Sequence, residues 1–167
     1  MKGKWAAGIP PRNFIWIIKD RLALSERPGG FAASHRKVRR QEEIIWIKAQ
    51  GFTRIVSLLS SPHNLESYDR FGVAWSNYPL DHAVVSPLVL EKCFSDLEEG
   101  LAGGSRILIH QDELSDRVMG VTAGFLVWSR RLPSAPQAIA IIEHVVGHPM
   151  GSPGRGLVMT ADQIVKA

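Results

Sequence analysis

The sequence predicts an α/β fold built on a largely parallel sheet, and three observations predict it. Apolar segments of strand length alternate with segments whose apolar residues recur at helical spacing. One strand-like run, "RILIH", leads through a polar loop straight into a helix-like run, "RVMGVTAGFLVWSRR". Glycine and proline cluster between these segments, as in "ERPGG". The chain has 167 residues, 45% of them hydrophobic and 22% charged, enough to bury the core of one domain. We expect an N-terminal arm over residues 1–12 and one folded domain over 13–167.

"FIWII" (Phe14 to Ile18) and "RLALS" (Arg21 to Ser25) read as short strands, followed by a turn. "VRRQEEIIWIKAQ", from about Val38 to Gln50, is helical, with Ile44, Ile45 and Ile47 in its window and Gly51 as its stop. "TRIVSLLS" reads as a buried strand and "GVAWSNYPL" as another. Ser86 followed by Pro87 opens a helix whose Leu90, Cys93, Phe94, Leu97 and Leu101 recur at spacings of three and four. The pair Gly103 and Gly104 ends it. After the "RILIH" strand and the helix from about Arg117, "SAPQAIAIIEHVVG" gives a further helix with Ser134 as its cap. "GHPMGSPGRG" reads as a glycine-rich flexible loop from which Arg155 could reach a partner. "TADQIVKA" reads as a short terminal helix capped by Thr160 or Asp162.

The net charge of +4 is unevenly placed. Residues 1–40 hold ten Lys/Arg against Asp20 and Glu26, while the remainder holds ten against fourteen acids. The densest stretch, "HRKVRR", contains Arg36, Lys37, Arg39 and Arg40. It is either a solvated helix start or a surface for an acidic partner. No aromatic residue interleaves with it, which argues against single-stranded nucleic acid. The lone Cys93 excludes an intramolecular disulfide and sits on an apolar helix face, as a structural thiol does. No apolar run reaches the roughly 20 residues of a membrane helix, and the N-terminus lacks a secretory pattern, so the expected location is cytoplasmic. His144 and His148 lie one helical turn apart, but Gly147 and Pro149 mark a helix end, and a cationic cap on the last carbonyls is the simpler role. No metal and no cofactor are expected.

The strand, loop and helix at 106–131 form a junction where backbone N–H groups and the helix dipole favour an anion. His110, Gln111, Leu114 and Arg117 stand there at the places of a known motif. The segment resembles the cysteine-dependent protein tyrosine phosphatases, in particular the dual-specificity branch, whose loop carries His-Cys, a glycine three residues on and an arginine six residues on. The resemblance extends from about residue 13 to 148. "YPLDHAVVSP" puts Asp81, followed by His82, thirty residues before Gln111, where that family holds a general acid. "FIWIIKDRLALSERPGG" and "QGFTRIVSLLS" are similar to the family's opening strands. The resemblance implies a single-domain dual-specificity phosphatase-like α/β fold.

The departures from the pattern imply the opposite of the family's activity. The family's chemistry needs a thiolate to attack phosphorus, and Gln111 offers no ionisable nucleophile. Leu114 places a side chain where the family bends its loop with glycine, and Val118 replaces the hydroxyl that helps the thiolate leave. Asp112, Glu113 and Asp116 would repel a phosphate dianion, two unit charges 4 Å apart costing about 4 kcal/mol at an effective dielectric near 20. We expect a loop carboxylate to accept the helix N-terminal amides and to pair with Arg117, so that the protein fills its own anion site. His110 would brace the loop.

Taken together, these residues predict a catalytically inactive, phosphatase-like binding module with a protein partner. The degenerate catalytic positions are Gln111, Arg117 and Asp81, and the binding rim is His82, His110, Asp112, Glu113, Ser115, Asp116 and Arg117. Two alternatives stay open: a cysteine-free hydrolase using Asp81 with a loop carboxylate, and a reader of phospho groups using Arg117.

Overall fold

The computed structural model describes residues 8–30, 37–80 and 85–164. Its backbone divides into two units. The first comprises residues up to Pro79 together with Gly100–Glu113, and the second Leu80–Glu99 together with Leu114 onwards.

The first unit holds the sheet. Its strands are β1 (Ile15–Ile18), β2 (Leu22–Glu26), β3 (Arg54–Ser57), β4 (Ala74–Asn77) and β5 (Ile107–Gln111), in the spatial order β1-β2-β5-β3-β4. Only β1 is antiparallel; β2, β5, β3 and β4 run parallel, in a register that sets Leu22 opposite Ile107 and Ile55 opposite Leu108. Strands in such a sheet are covered on both faces, so they read as apolar runs without alternation. Leu22, Ala23, Leu24, Ile55, Val56, Ile107, Leu108 and Ile109 are accordingly fully buried.

One face carries helix α1 (Lys37–Ala49) and a 3-10 helix over Leu65–Phe71. Ala23, Ile55 and Leu108 meet Ile44, Ile47, Phe52, Leu65 and Tyr68 there in one apolar cluster. The 3-10 helix carries no sequence signal that we read. Gly51 ends α1 as expected, in the left-handed region at φ 87°. Phe52 N–H donates to the Ile47 carbonyl (3.3 Å) and Gly51 N–H to that of Lys48 (3.0 Å), a Schellman closure whose apolar contact is Ile47 with Phe52. At Gly8 the chain passes close to α1, where a Cβ would stand 2.3 Å from the Glu42 carbonyl oxygen and 2.6 Å from the Trp46 nitrogen.

The second unit is helical. It contains most of α2 (Pro87–Ala102), with α3 (Asp116–Trp128), α4 (Ala135–Val146) and α5 (Ser152–Gln163). The serine and proline signals hold: Ser86 Oγ accepts from Leu88 N–H (3.2 Å), and Ser134 Oγ from Gln137 N–H (3.3 Å). Every residue of α3 from Val118 to Trp128 is buried. Phe94 packs its ring on Phe125 and Trp128, at centroid distances of 6.1 and 5.6 Å.

The glycine-rich loop is corrected by the structure. "GSPGRG" is the start of α5, which begins at Ser152, so Thr160 lies inside the helix instead of capping it. Proline is tolerated there because a first-turn N–H has no intrahelical partner to lose. The glycines serve close packing. A Cβ on Gly154 would lie 2.3 Å from the Asp116 carbonyl oxygen, one on Gly120 would lie 2.4 Å from that of Gly154, and one on Gly124 would lie 2.9 Å from the Ala161 Cβ. Helix α3 thus meets α5 through a small-residue seam. Arg155 is engaged locally, donating to the Met150 carbonyl (2.8 Å) and pairing with Glu143 (3.2 Å). His144 lies in the last turn of α4, Gly147, at φ 93°, closes that helix with its own N–H on the Glu143 carbonyl, and His148 Nδ1 contacts the Pro149 carbonyl oxygen (3.1 Å). Among the described residues no helix is long and apolar enough to cross a membrane.

Candidate functional site

The loop singled out in the sequence starts at the C-terminal end of β5, the edge where open parallel sheets place their ligand sites. Register puts His110 beside Ser25 of β2 and Ser57 of β3, both fully buried, and Gln111 beside Glu26. Gln111 is tied into this edge. Its carbonyl accepts from Arg27 N–H (2.8 Å), and its side-chain Nε2 donates to the Leu58 carbonyl (3.2 Å). Gln111 therefore braces the exit of β3.

His110 faces the same side of the sheet as Leu108, toward α1 and the 3-10 helix. It is 1% exposed. Tyr68, equally buried, contacts its Nδ1 through the hydroxyl (3.4 Å). Burial, and then the neighbouring Glu43, push the Tyr68 hydroxyl well above its ordinary pKa, so it stays a donor. Burial, with the Arg27 charge adding to it, pulls His110 down to about 3, so the imidazole is neutral. The tautomer decides which of Tyr68 and His110 Nδ1 donates, and Nε2 has no hydrogen-bond partner among the described residues. The two side chains share a small cleft, partly open to solvent, with Pro28, Ile44, Leu59 and Leu65 as apolar walls.

The acids of the loop are spread apart. Asp112 pairs with Arg27 Nε (3.0 Å), from the turn after β2. The Nε proton itself is directed at the Gly30 carbonyl (3.0 Å), so Asp112 Oδ1 is near the charge without accepting its hydrogen. Glu113 is exposed. In the second unit Ser115 takes the N-cap of α3 in extended backbone and makes no side-chain cap bond. Asp116 packs its carboxylate on Gly151, the N-cap of α5, at a distance that admits no Cβ there. Arg117, half-buried, occupies the first turn of α3. Asp81, His82 and Arg36 lie outside the described residues.

The basic stretch is only partly a free surface. Lys37 is exposed, but Arg39 donates from Nε to Glu43 Oε1 (2.8 Å), and Arg40 lines the cleft. Burial pushes the Arg40 guanidinium below its ordinary value; Glu66 opposes this, and Arg27 and Arg70 add to it. Glu43 is itself buried and accepts from Gly29 N–H as well (2.7 Å). Sequence reasoning missed Arg27, Glu43 and Tyr68. A signal existed only for Glu43: it sits between apolar positions of α1 with an arginine four residues before it.

No protein-family model matches the chain, and no curated protein sequence matches it significantly. Solved structures do match. The kinase associated phosphatase (KAP), with its catalytic-site cysteine replaced by serine, superimposes at a TM-score of 0.78 with 19% identity, covering 94% of this chain and 98% of that one. Tk-PTP in its active form gives 0.72 and 21% identity, over 90% and 97% of the two chains. Human DUSP28 gives 0.68 and 18% identity, over 96% and 99%. Spanning nearly the whole of each, the five-stranded sheet with its flanking helices is the fold of the dual-specificity and tyrosine phosphatases.

Proposed function

We propose that this chain is a phosphatase-fold protein without thiol-based phosphatase chemistry, which acts by binding a protein partner. The observation that supports the reading is Gln111: the residue at the place the resembled motif gives its nucleophile is a carboxamide, and its Nε2 is occupied as a donor to Leu58. An amide nitrogen cannot attack phosphorus as a thiolate does. The paired Arg27 and Asp112 support it further, since a loop acid sits at the strand edge near where the family's loop would admit an anion. The residues we assign to partner binding are Asp81, His82, His110, Asp112, Glu113, Ser115, Asp116 and Arg117, within one domain over 13–167.

The test is hydrolysis of a small aryl phosphate from about pH 4 to 9, with and without divalent metal, against Asp81→Ala. Absence of turnover throughout is the expected result. Turnover that Asp81→Ala abolishes would replace this reading with a cysteine-free hydrolase.

A further inference from the structure

The sheet ends at β1 on one side, and no role proposed above uses that edge. Strand β1 pairs with β2 alone among the described residues, so one row of its backbone N–H and C=O groups faces away from the sheet. Edge strands that stay single commonly carry a lysine, a proline or an inward-pointing charge within the strand. The run Phe14 to Ile18 is five apolar residues with none of these, and all five are half-buried. Phe14 and Trp16 lean to one face, with ring centroids 5.8 and 5.3 Å from that of Phe52. Strand alternation turns Ile15 to the other face. The strand is short, and its register with β2 shifts between Trp16 and Ile18, so this edge suits weak, reversible pairing.

The charges that flank the run decide what fits it. Arg12 stands before it and Asp20 after it; both are exposed, and neither makes an ion pair among the described residues. We propose that β1 pairs antiparallel with β1 of a second copy of this chain, about a two-fold axis at Trp16, so that one sheet runs through both copies. That register sets Trp16 opposite its own counterpart, Ile15 opposite Ile17, Phe14 opposite Ile18 and Arg12 opposite Asp20, the last three pairs twice over. Sliding the strands by one residue in either direction sets Arg12 opposite Lys19 or Arg21, and like charges directly opposite each other repel. The flanking charges therefore select the partner strand and its register together. The other edge, β4, offers no such match: Ala74–Asn77 includes the polar Ser76 and Asn77, and Trp75 Nε1 already donates to Asp69 (2.9 Å). This self-association goes beyond the binding role proposed above and does not depend on it.

Sedimentation velocity of the full chain, from low to high micromolar concentration, measures the pairing, and amide hydrogen exchange locates it. The wild type is expected to pass reversibly from monomer to dimer, with exchange slowing across residues 14–18 as concentration rises. Arg12→Asp sets two acids opposite each other at both ends of the ladder and is expected to weaken the dimer about tenfold or more. Asp20→Asn removes the attraction without adding repulsion and is expected to weaken it less; asparagine is tolerated at the Asp20 φ of 63°. Combining the two removes the repulsion and should recover part of what Arg12→Asp loses. Both positions are exposed, and thermal melts equal to wild type show that the variants fold. Three results would overturn the inference: a chain that stays monomeric throughout, leaving the edge to some other protein's strand; a dimer as strong in Arg12→Asp as in wild type; or a dimer in which exchange slows elsewhere and not across 14–18.

Discussion

Replacing Gly120 by alanine tests the seam that holds the start of α3 against α5. The new Cβ would fall 2.4 Å from the Gly154 carbonyl oxygen, 2.7 Å from its Cα and 2.9 Å from its carbonyl carbon. All three are backbone atoms, so no side chain can rotate away. One helix must shift by at least about 0.6 Å before the closest contact reaches 3.0 Å, below which real Cβ atoms are essentially never found. Overpacking of this kind costs about 1–3 kcal/mol, against a gain of about 0.5–1 kcal/mol from alanine over glycine within a helix. Because the clash is with backbone at three points, we place the net loss near 2 kcal/mol, or roughly 4–8 °C in Tm for a chain of this size. Gly156→Ala is the internal control. That glycine lies in α5 with nothing within 4 Å of a Cβ, and alanine there should raise Tm slightly. Paired thermal melts by circular dichroism measure both. A Gly120→Ala protein as stable as wild type, or a Gly156→Ala protein that falls as far, would refute the close-packed seam.

Three further outcomes are expected. Restoring the thiol alone, as Gln111→Cys, should give no measurable aryl phosphate hydrolysis, because Leu114 and the loop acids remain; steady-state assay at pH 6 to 7 checks this, and turnover would show that the loop still cradles phosphate. His110, neutral in the fold with its pKa held at about 3 and near 6.5 unfolded, makes the unfolded chain the better proton binder below about pH 6.5, so its contribution to stability falls as pH drops from there toward 3. Urea midpoints should decline over that window more steeply in wild type than in His110→Gln, and the ring should not titrate by NMR between pH 5 and 8. Cys93, 2% exposed and with its thiol pushed well up by burial and then by Asp96, should resist thiol reagents until the protein unfolds, which a timed labelling with and without denaturant resolves.

Where the sequence was legible, a periodic or capping signal stood in the chain itself. The apolar runs of β2, β3 and β5, the Ser86–Pro87 and Ser134 helix starts and the Gly51 stop all act within a few residues, so they could be read locally. Helix α5 was not legible because Gly151, Gly154 and Gly156 read as loop punctuation. Two of the three, Gly151 and Gly154, are glycine because Asp116 lies against them, and that proximity is tertiary. The same holds at the candidate site. His110 and Gln111 were found from their place at the strand end, but the partner of Asp112 lies 85 residues upstream, in a segment that looked like ordinary turn chemistry. Arg27 reaches Asp112 because β2 lies next to β5.

The strand order carries a consequence for how the chain is made. Strands β2 and β3 are neighbours in sequence but do not pair; each bonds to β5, which is synthesised last and enters between them. Until residue 111 has left the ribosome, the β1-β2 hairpin and the β3-β4 pair each present an apolar strand with one unpaired edge, and joining them closes a loop of some 85 residues from Leu22 to Ile107. Sheet completion is therefore a late, long-range event, and the interval before it is when the nascent chain is most open to strand-edge aggregation and most dependent on chaperones.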